Sequence, residues 1–135
     1  MEGALKIKEL TYIHCQGFEI NKLVSGHYNY FKFHPGTPLL VILLDDEHKE
    51  TLIKSIKALR KRTSVRLFAI SDCRDSETKA FIDENCEKSL SVPKSDMLSA
   101  LLCIMPLQLI AYDLTVALGY DPDRPRNLSK ELTTH

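Results

Sequence analysis

The residues that could do chemistry in this chain are two lysines and a glutamate near its ends. Lys6 and Glu9 lie three positions apart in residues 2–13, where apolar and charged residues follow a helical pattern, so the two side chains share one helix face. Lys130 lies in a polar, proline-containing tail, residues 120–135. A lysine amine can condense with a carbonyl group, and a carboxylate can act as a general base. By type and spacing alone, however, all three residues are ordinary surface charges.

The other reactive residue types show no pattern of a metal or cofactor site. The four cysteines lie far apart without a CxxC pair, which argues against zinc and a disulfide framework and favours reduced thiols. His48 and His135 lack metal-ligand spacing with another histidine or cysteine. Neither glycine-rich phosphate-binding motif, GxGxxG or GxxxxGK[ST], is present. We therefore expect no metal and no cofactor.

Composition limits the classes of partner. Eighteen basic and eighteen acidic residues give a formal net charge of zero, which argues against a broad surface for nucleic acid or an anionic membrane. The first ten residues lack the charged-then-apolar order of a signal peptide. A length of 135 residues suits one domain with its own core. We therefore expect a single cytoplasmic domain that binds neither nucleic acid nor membrane.

Predicted strands alternate with predicted helices through the middle of the chain. Residues 39–45 and 65–71 are continuous apolar runs of strand length, typical of strands buried on both faces. Residues 88–93 read as a weak edge strand closed by a proline, and residues 15–21 as a short strand. In parallel sheets, ligands bind outside the carboxyl ends of the strands, so the loops after Asp45 and Ser71 are candidate pocket walls.

Amphipathic patterns predict helices over residues 47–62 and 76–86, between and after the two apolar strands. In residues 47–62 the acidic residues come first and the basic residues last, which suits the helix dipole. Strands that alternate with helices indicate parallel βαβ units. The predicted fold class is therefore α/β, a three-layer αβα sandwich with a mainly parallel sheet in a single domain.

Residues 97–118 form a long, mostly apolar segment. It carries a glutamine, an aspartate and Pro106 and has no basic flanks, which favours a buried core helix over a membrane span, with a kink at the proline. Ser95 or Asp96 can cap the start of this helix. Gly119 is suited to the position just after its end.

Two stretches resemble a known family. Residues 2–14, EGALKIKELTYIH, and residues 106–130, PLQLIAYDLTVALGYDPDRPRNLSK, are similar to the second sugar isomerase (SIS) half of glucosamine-6-phosphate synthase, the glutamine:fructose-6-phosphate aminotransferase. Related deaminases and deglycases share this architecture, and the resemblance covers essentially the whole chain. It implies a SIS domain of flavodoxin-like fold over residues 1–119, with residues 120–135 as a tail that folds over the active site.

The resemblance also implies roles for individual residues. Lys130 matches the tail lysine that forms an imine with the sugar carbonyl, and Glu9 matches the carboxylate that moves a proton between C1 and C2. Lys6 matches a lysine beside this carboxylate, and Ser129 a tail position whose backbone contacts the sugar. The prolines of the tail restrict its backbone, which lowers the entropy lost when Lys130 is held over a pocket.

One segment departs from the family pattern. Residues 22–27 read KLVSGH where the synthase usually reads Glu-Leu-Lys-His-Gly-Pro. Ser25 replaces the histidine that is assigned to opening the sugar ring, and His27, two residues further on, is a candidate substitute. This departure leaves a changed substrate or a lost reaction as alternatives to synthase activity.

The function that the resemblance implies is that of a C-terminal SIS module in a sugar-phosphate aminotransferase, isomerase or deaminase of amino sugar metabolism. The reaction would be aldose–ketose chemistry on a fructose-6-phosphate-like substrate. In the family the phosphate-binding loops lie in a first SIS half and a glutaminase domain supplies ammonia. We therefore expect a sugar phosphate as ligand and, as protein partner, a second copy of the chain or a separate first SIS half. The alternatives are a non-catalytic SIS domain that binds sugar phosphate or partner proteins, and an assembly domain with a vestigial pocket.

Overall fold

From Pro38 to Ser91, strands alternate with helices in the predicted order. The computed structural model describes residues 1–19, 22 and 28–126. The described residues form two compact units, one made by residues 1–17 and 107–126 and the other by the stretch between them. In chain order the elements are α1 (Glu2–Thr11), α2 (Tyr28–Phe33), β1 (Pro38–Leu43), α3 (Lys49–Arg60), β2 (Arg66–Ser71), α4 (Ser76–Asn85), β3 (Lys88–Ser91), α5 (Ser99–Leu102) and α6 (Ile104–Ala117).

The three strands form one parallel sheet in the order β1-β2-β3. β1 and β2 pair over their whole length, with Leu43 at the end of one strand opposite Ser71 at the end of the other. β2 pairs with β3 up to Ser71 opposite Ser91. The α/β class with a parallel sheet is confirmed, and β3, exposed at all four positions, is the weak edge strand that was predicted.

The core of the larger unit packs against one face of β1. Leu39, Val41 and Leu43 are buried with residues of α3 and α4, whereas Ile42 on the opposite face is 41% exposed. The prediction that β1 is buried on both faces is therefore wrong, because the core side chains cover only its odd-numbered positions. β2 fits the prediction better, since Leu67 and Ile70, which point to opposite faces, are both fully buried.

The predicted strand over residues 15–21 is not formed in its described part, residues 15–19. A strand needs a neighbouring strand to satisfy its backbone N–H and C=O groups. The described ladders join only β1 to β2 and β2 to β3, so this stretch has no such neighbour among them.

The long apolar segment is divided into α5 and α6 at Cys103. Pro106 lies in the first turn of α6, where its missing N–H leaves no unsatisfied donor. Because a proline ring clashes with the carbonyl group four residues earlier, here that of Leu102, the interruption falls before Pro106 instead of at it. The N-cap of α5 is Leu98 and not the predicted Ser95 or Asp96. Ser95 lies three residues before Leu98, and its hydroxyl oxygen accepts the Leu98 N–H at 3.3 Å.

α6 ends at a glycine turn, as predicted. Gly119 has a positive φ of 77°. Its N–H donates to the Val116 carbonyl at 2.9 Å, and the Tyr120 N–H donates to the Thr115 carbonyl at 3.0 Å. This pair of hydrogen bonds is a Schellman motif. The motif needs a positive φ at position 119, which glycine adopts without strain because it has no Cβ.

The prediction of a buried core helix is wrong for α6. Its buried residues, Leu107, Ala111 and Thr115, recur every fourth position and form one narrow stripe. The segment Ser99–Ala117 has a mean hydropathy of 1.7, long and apolar enough by length and composition to cross a membrane, yet only 22% of it is buried. A single helix of this kind is weak evidence for a membrane span.

Replacing Leu67, which is fully buried on the central strand, tests whether β2 organises the sheet. Leu67→Ala should lower the free energy of unfolding by about 2–5 kcal/mol, because it removes buried methyl groups and leaves a cavity. The matched control Leu90→Ala, on the edge strand where Leu90 is 49% exposed, should change it by less than about 1 kcal/mol. Urea denaturation measures both values, and equal losses would contradict a core centred on β2.

Candidate functional site

Helix α1 carries the first pair of predicted site residues. The Lys6 ammonium donates a hydrogen bond to the Glu9 carboxylate at 2.9 Å, and the Glu2 carboxylate lies 3.8 Å from the same ammonium. The Lys6 and Glu9 side chains are 37% and 26% exposed. The i, i+3 spacing thus produces a direct ion pair on one face of α1, as the sequence predicts.

Electrostatics give the two members of the pair different chemical capacities. The hydrogen bond to Glu9, with the charge of that carboxylate, raises the pKa of Lys6 above its ordinary value of 10.5. Lys6 is therefore a fixed cation and a poor nucleophile at neutral pH, because an amine must lose its proton to attack a carbonyl. Its place in the arrangement is to hold and orient the Glu9 carboxylate.

The other predicted site residues lie outside the described residues. They are two residues of the tail and two of the KLVSGH segment: Lys130, Ser129, Ser25 and His27.

A second polar cluster lies where the strands of the sheet end. The Asp45 carboxylate accepts a hydrogen bond from Lys49 at 2.6 Å and another from Lys94 at 2.6 Å. The backbone N–H of Asp45 donates to the carboxylate of Asp72 at 2.8 Å. Residues 45, 72 and 94 follow β1, β2 and β3 respectively, and carboxyl ends of parallel strands meet at one edge of a sheet. We call Asp45, Lys49, Lys94 and Asp75 the sheet-edge network.

Asp75 links this network to helix α4. Its carboxylate accepts the Thr78 N–H at 2.8 Å as the N-cap of α4 and lies 3.2 Å from the Lys49 ammonium. The Thr78 hydrogen bonds and the Lys49 charge lower the pKa of Asp75 to about 2. Hydrogen bonds from Lys49 and Lys94 likewise lower the pKa of Asp45. Both carboxylates are therefore ionised at neutral pH and already matched by cations.

A shallow cavity of about 260 Å³ adjoins the network. Its walls include Asp45 and Asp72, so the prediction that the loops after Asp45 and Ser71 line a pocket is confirmed. Asp72 is 2% exposed. The remaining wall comes from the turn that follows β3 and the start of α5, and includes Ser95 and Ser99.

Three groups in the loops after β1 and β2 have ligand atoms close enough to one another for a metal ion. Oxygen atoms of Asp45 and Asp75 and the Cys73 sulfur lie within 4.8 Å of one another. The Lys49 ammonium already bridges the two carboxylates. Burial raises the pKa of the Cys73 thiol, which keeps it in the protonated form that binds metals poorly. The donor set thus fits an ion-pair network better than a metal centre.

Proteins similar to this chain include glutamine–fructose-6-phosphate aminotransferases from several organisms. The chain is 37% identical over 137 residues to a glutamine–fructose-6-phosphate aminotransferase [isomerizing] of Leifsonia xyli subsp. xyli and 36% identical over 134 residues to the corresponding protein 1 of Rattus norvegicus. Each alignment covers 98% of this chain. The chain is a homologue of these aminotransferases. No family model matches it.

The likeness to the aminotransferases concerns one part of them. The chain spans 21% of the bacterial relative and 19% of the rat relative. Among solved structures, the C-terminal domain of glucosamine-fructose-6-phosphate aminotransferase from Francisella tularensis matches with a TM-score of 0.69 over 90% of this chain and 33% of that one, at 24% identity. The homology is therefore to a C-terminal SIS domain of the aminotransferases, and the structural match supports the SIS fold.

The sequence analysis of this aminotransferase homologue did not identify Lys94, one of the two lysines of the sheet-edge network. Lys94 is three residues beyond β3, and its ammonium reaches Asp45 beyond β1. The sequence does contain a signal for Lys94, because the predicted third strand ends directly before this residue. The ends of parallel strands lie at the same edge of the sheet, so Lys94 must lie near the ends of the other two strands. The structure therefore adds Lys94 and Asp72 to the residues beside the candidate pocket.

Acid titration tests the sheet-edge network. The folded-state pKa of Asp75, about 2, is below its ordinary value of 3.8, so its contribution to stability is present above about pH 4 and is lost as the pH falls towards 2. Asp75→Asn keeps a capping oxygen but cannot titrate. Its urea midpoint should therefore fall less between pH 4 and pH 2 than that of the unmodified chain. Asp83→Asn, on the exposed side of α4, should leave the acid dependence unchanged. An Asp75→Asn profile parallel to that of the unmodified chain would contradict the assignment.

Proposed function

We propose that the chain acts as the C-terminal SIS module of a sugar-phosphate aminotransferase, with a fructose-6-phosphate-like ketose as substrate. The Lys6–Glu9 ion pair on α1 carries the proposal, because it presents an oriented carboxylate beside a fixed cation. Homology to the aminotransferases over 98% of the chain supports the same chemistry. The four cysteines carry free thiols, which supports a reducing compartment such as the cytoplasm.

The proposed reaction divides two tasks between a lysine and a carboxylate. The neutral amine of Lys130 adds to the ketose carbonyl carbon, C2, and the carbonyl oxygen leaves as water with both amine protons, which gives an imine. Ammonia from the nitrogen donor of the complete assembly then replaces the lysine, so that Lys130 recovers its amine and the sugar keeps an imine at C2. This imine acidifies the adjacent C1–H bond.

Glu9 completes the reaction by moving one proton. Its carboxylate accepts the proton from C1, and the C–H electron pair becomes the C1–C2 double bond while the imine electrons move to nitrogen. The nitrogen takes up the C1 hydroxyl proton and Glu9 returns its proton to C2, which gives the aldehyde at C1 and a free amine at C2. Such a positioned base contributes about 10²–10⁴-fold to the rate. Lys6, protonated beside Glu9, keeps the carboxylate oriented between the two transfers.

A second candidate function follows from the KLVSGH segment. Ser25 stands where the family carries the histidine assigned to ring opening, which favours a SIS domain that binds a sugar phosphate without turning it over. Ser129 would contact the sugar in either case, and His27 is the nearest replacement acid in the catalytic case. The two functions differ in whether Lys130 becomes covalently attached to the sugar.

Borohydride trapping distinguishes these functions. With fructose 6-phosphate and a first SIS half from an aminotransferase relative, reduction should fix the sugar on Lys130, which tryptic mass spectrometry identifies. Glu9→Gln should retain the adduct. With ammonia present, it should lower the rate at which fructose 6-phosphate is converted to the amino sugar by about 10²–10⁴-fold, because the group that moves the proton is removed. Lys130→Arg should give no adduct.

Lys8→Ala is the matched control, since Lys8 is an exposed lysine of the same helix on another face. Absence of an adduct on the unmodified chain would count against the catalytic proposal. If fructose 6-phosphate nevertheless raised the melting temperature, and Lys130→Ala left that rise unchanged, the binding function would replace it.

We further propose that a SIS half carried by another polypeptide covers an exposed stripe of α6. Met105, Leu109, Tyr112 and Val116 follow one another at spacings of four, three and four residues, and each is at least half exposed. By helical geometry this stripe points away from the buried residues of the same helix. The chain spans 21% of the bacterial relative, so most of such a protein lies outside the matched region, and exposed apolar surface of this kind marks protein interaction sites.

Leu109→Glu tests this contact, because a charge in an apolar interface is desolvated without a partner. The variant should bind a first SIS half from an aminotransferase relative at least about tenfold more weakly, a loss of roughly 1.4 kcal/mol. Gln108→Glu places the same side chain beside the stripe and should bind normally. Analytical ultracentrifugation reports the affinity. Self-association of the unmodified chain that Leu109→Glu abolishes, without binding to the SIS half, would assign the stripe to a second copy instead.

A further inference from the structure

Tyr12, the residue that ends helix α1, has a backbone conformation that large side chains rarely adopt. Its φ of 60° and ψ of 8° are left-handed, and its N–H donates to the Lys8 carbonyl as a helix cap. Within the described residues it is the one position with a side chain beyond Cα that has a positive φ, whereas Gly36 and Gly119 are glycines. A glycine or asparagine would cap α1 with less backbone strain, so the tyrosine needs another reason.

The Tyr12 side chain joins three parts of the smaller unit. Its ring meets the ring of Tyr120 edge to face, with centroids 5.3 Å apart and planes at 69°. Its hydroxyl oxygen accepts the backbone N–H of Arg126 at 2.5 Å. The Arg126 guanidinium carbon lies 5.9 Å from the Tyr12 ring centroid and 5.8 Å from that of Tyr120. We call Tyr12, Tyr120 and Arg126 the tyrosine clamp.

Along the chain, the clamp residues lie between Glu9 and Lys130, to which the proposed chemistry is assigned. Glu9 precedes Tyr12 by three residues, which is about one turn of α1. Lys130 follows Arg126 by four residues, so the chain geometry limits the distance between their Cα atoms to about 15 Å. Fixing the Arg126 backbone to the end of α1 therefore restricts the volume in which the Lys130 amine can move relative to Glu9.

We propose that Tyr12 is a positioning residue, which anchors the start of the tail to the end of α1 and so holds Lys130 within reach of the substrate of Glu9. This proposal rests on the proposed function. It accounts for the left-handed backbone of Tyr12, because that conformation directs the ring towards Tyr120 and the hydroxyl towards Arg126. The clamp uses one hydrogen bond, an aromatic pair and two cation–π contacts, each modest alone.

Tyr12→Gly separates anchoring from folding. Glycine adopts the left-handed cap without strain, so the melting temperature should stay the same or rise, while every clamp contact of the side chain is lost. Trypsin cleavage after Arg126 in the full chain, followed by mass spectrometry, should become about tenfold faster. Tyr12→Phe keeps the ring and loses only the hydroxyl acceptor, so its cleavage should be about fivefold faster. Tyr30→Ala, an exposed tyrosine outside both the clamp and the stripe of α6, should leave the cleavage rate unchanged.

The same variants are then reduced with borohydride in the presence of fructose 6-phosphate and the first SIS half. Labelling of Lys130 should fall in the order unmodified chain, Tyr12→Phe, Tyr12→Gly, with an overall loss of about tenfold. An unchanged cleavage rate in Tyr12→Gly would overturn the anchor. Faster cleavage with undiminished labelling would overturn the positioning role. An unlabelled unmodified chain would overturn the proposed function and, with it, the positioning of Lys130.

Discussion

The burial of β2 between two parallel neighbours is the constraint on which the larger unit depends. A central strand that must be covered on both faces and hydrogen-bonded along both edges can be paired in only one register. That register ends β1 at Leu43, opposite Ser71, which is in turn opposite Ser91 of β3. The residues that follow the three strands are then placed together by the backbone alone. The ion pair between Asp45 and Lys94, which follow β1 and β3, depends on this placement.

Two acidic clusters of the chain differ in what remains available to a ligand. At the sheet edge, Asp45 has a lysine at hydrogen-bond distance from each carboxylate oxygen, so its charge is satisfied within the protein. On α1, Glu9 has one lysine on one oxygen, although its side chain is exposed to the same extent, 26%, as that of Asp45. A carboxylate that acts as a base needs a free lone pair and a fixed direction, and Glu9 has both. The number of carboxylate oxygens that already accept a hydrogen bond from lysine, more than the pKa, therefore distinguishes Glu9, a candidate base, from Asp45, a structural acid.

Sequence patterns predicted those features that depend on neighbours along the chain. The Lys6–Glu9 contact, the dipole-matched helix α3 and the glycine turn at Gly119 all follow from spacings of one to four residues. Features that depend on distant packing were missed or wrong. Residues 15–19 have no strand partner among the described ladders, and α6 exposes a second apolar stripe that local hydropathy cannot distinguish from core. Tyr12 could not be foreseen either, because a tyrosine with positive φ is justified only by Tyr120 and Arg126, more than one hundred residues later.

The exposed stripe of α6 also determines how an assembly through it would respond to temperature. Contacts made by Leu109, Val116 and their neighbours are apolar, and burial of apolar surface lowers the heat capacity. Hydrophobic association of this kind weakens on cooling, in contrast to ion pairs such as those at the sheet edge. A complex held through α6 would therefore become weaker on cooling.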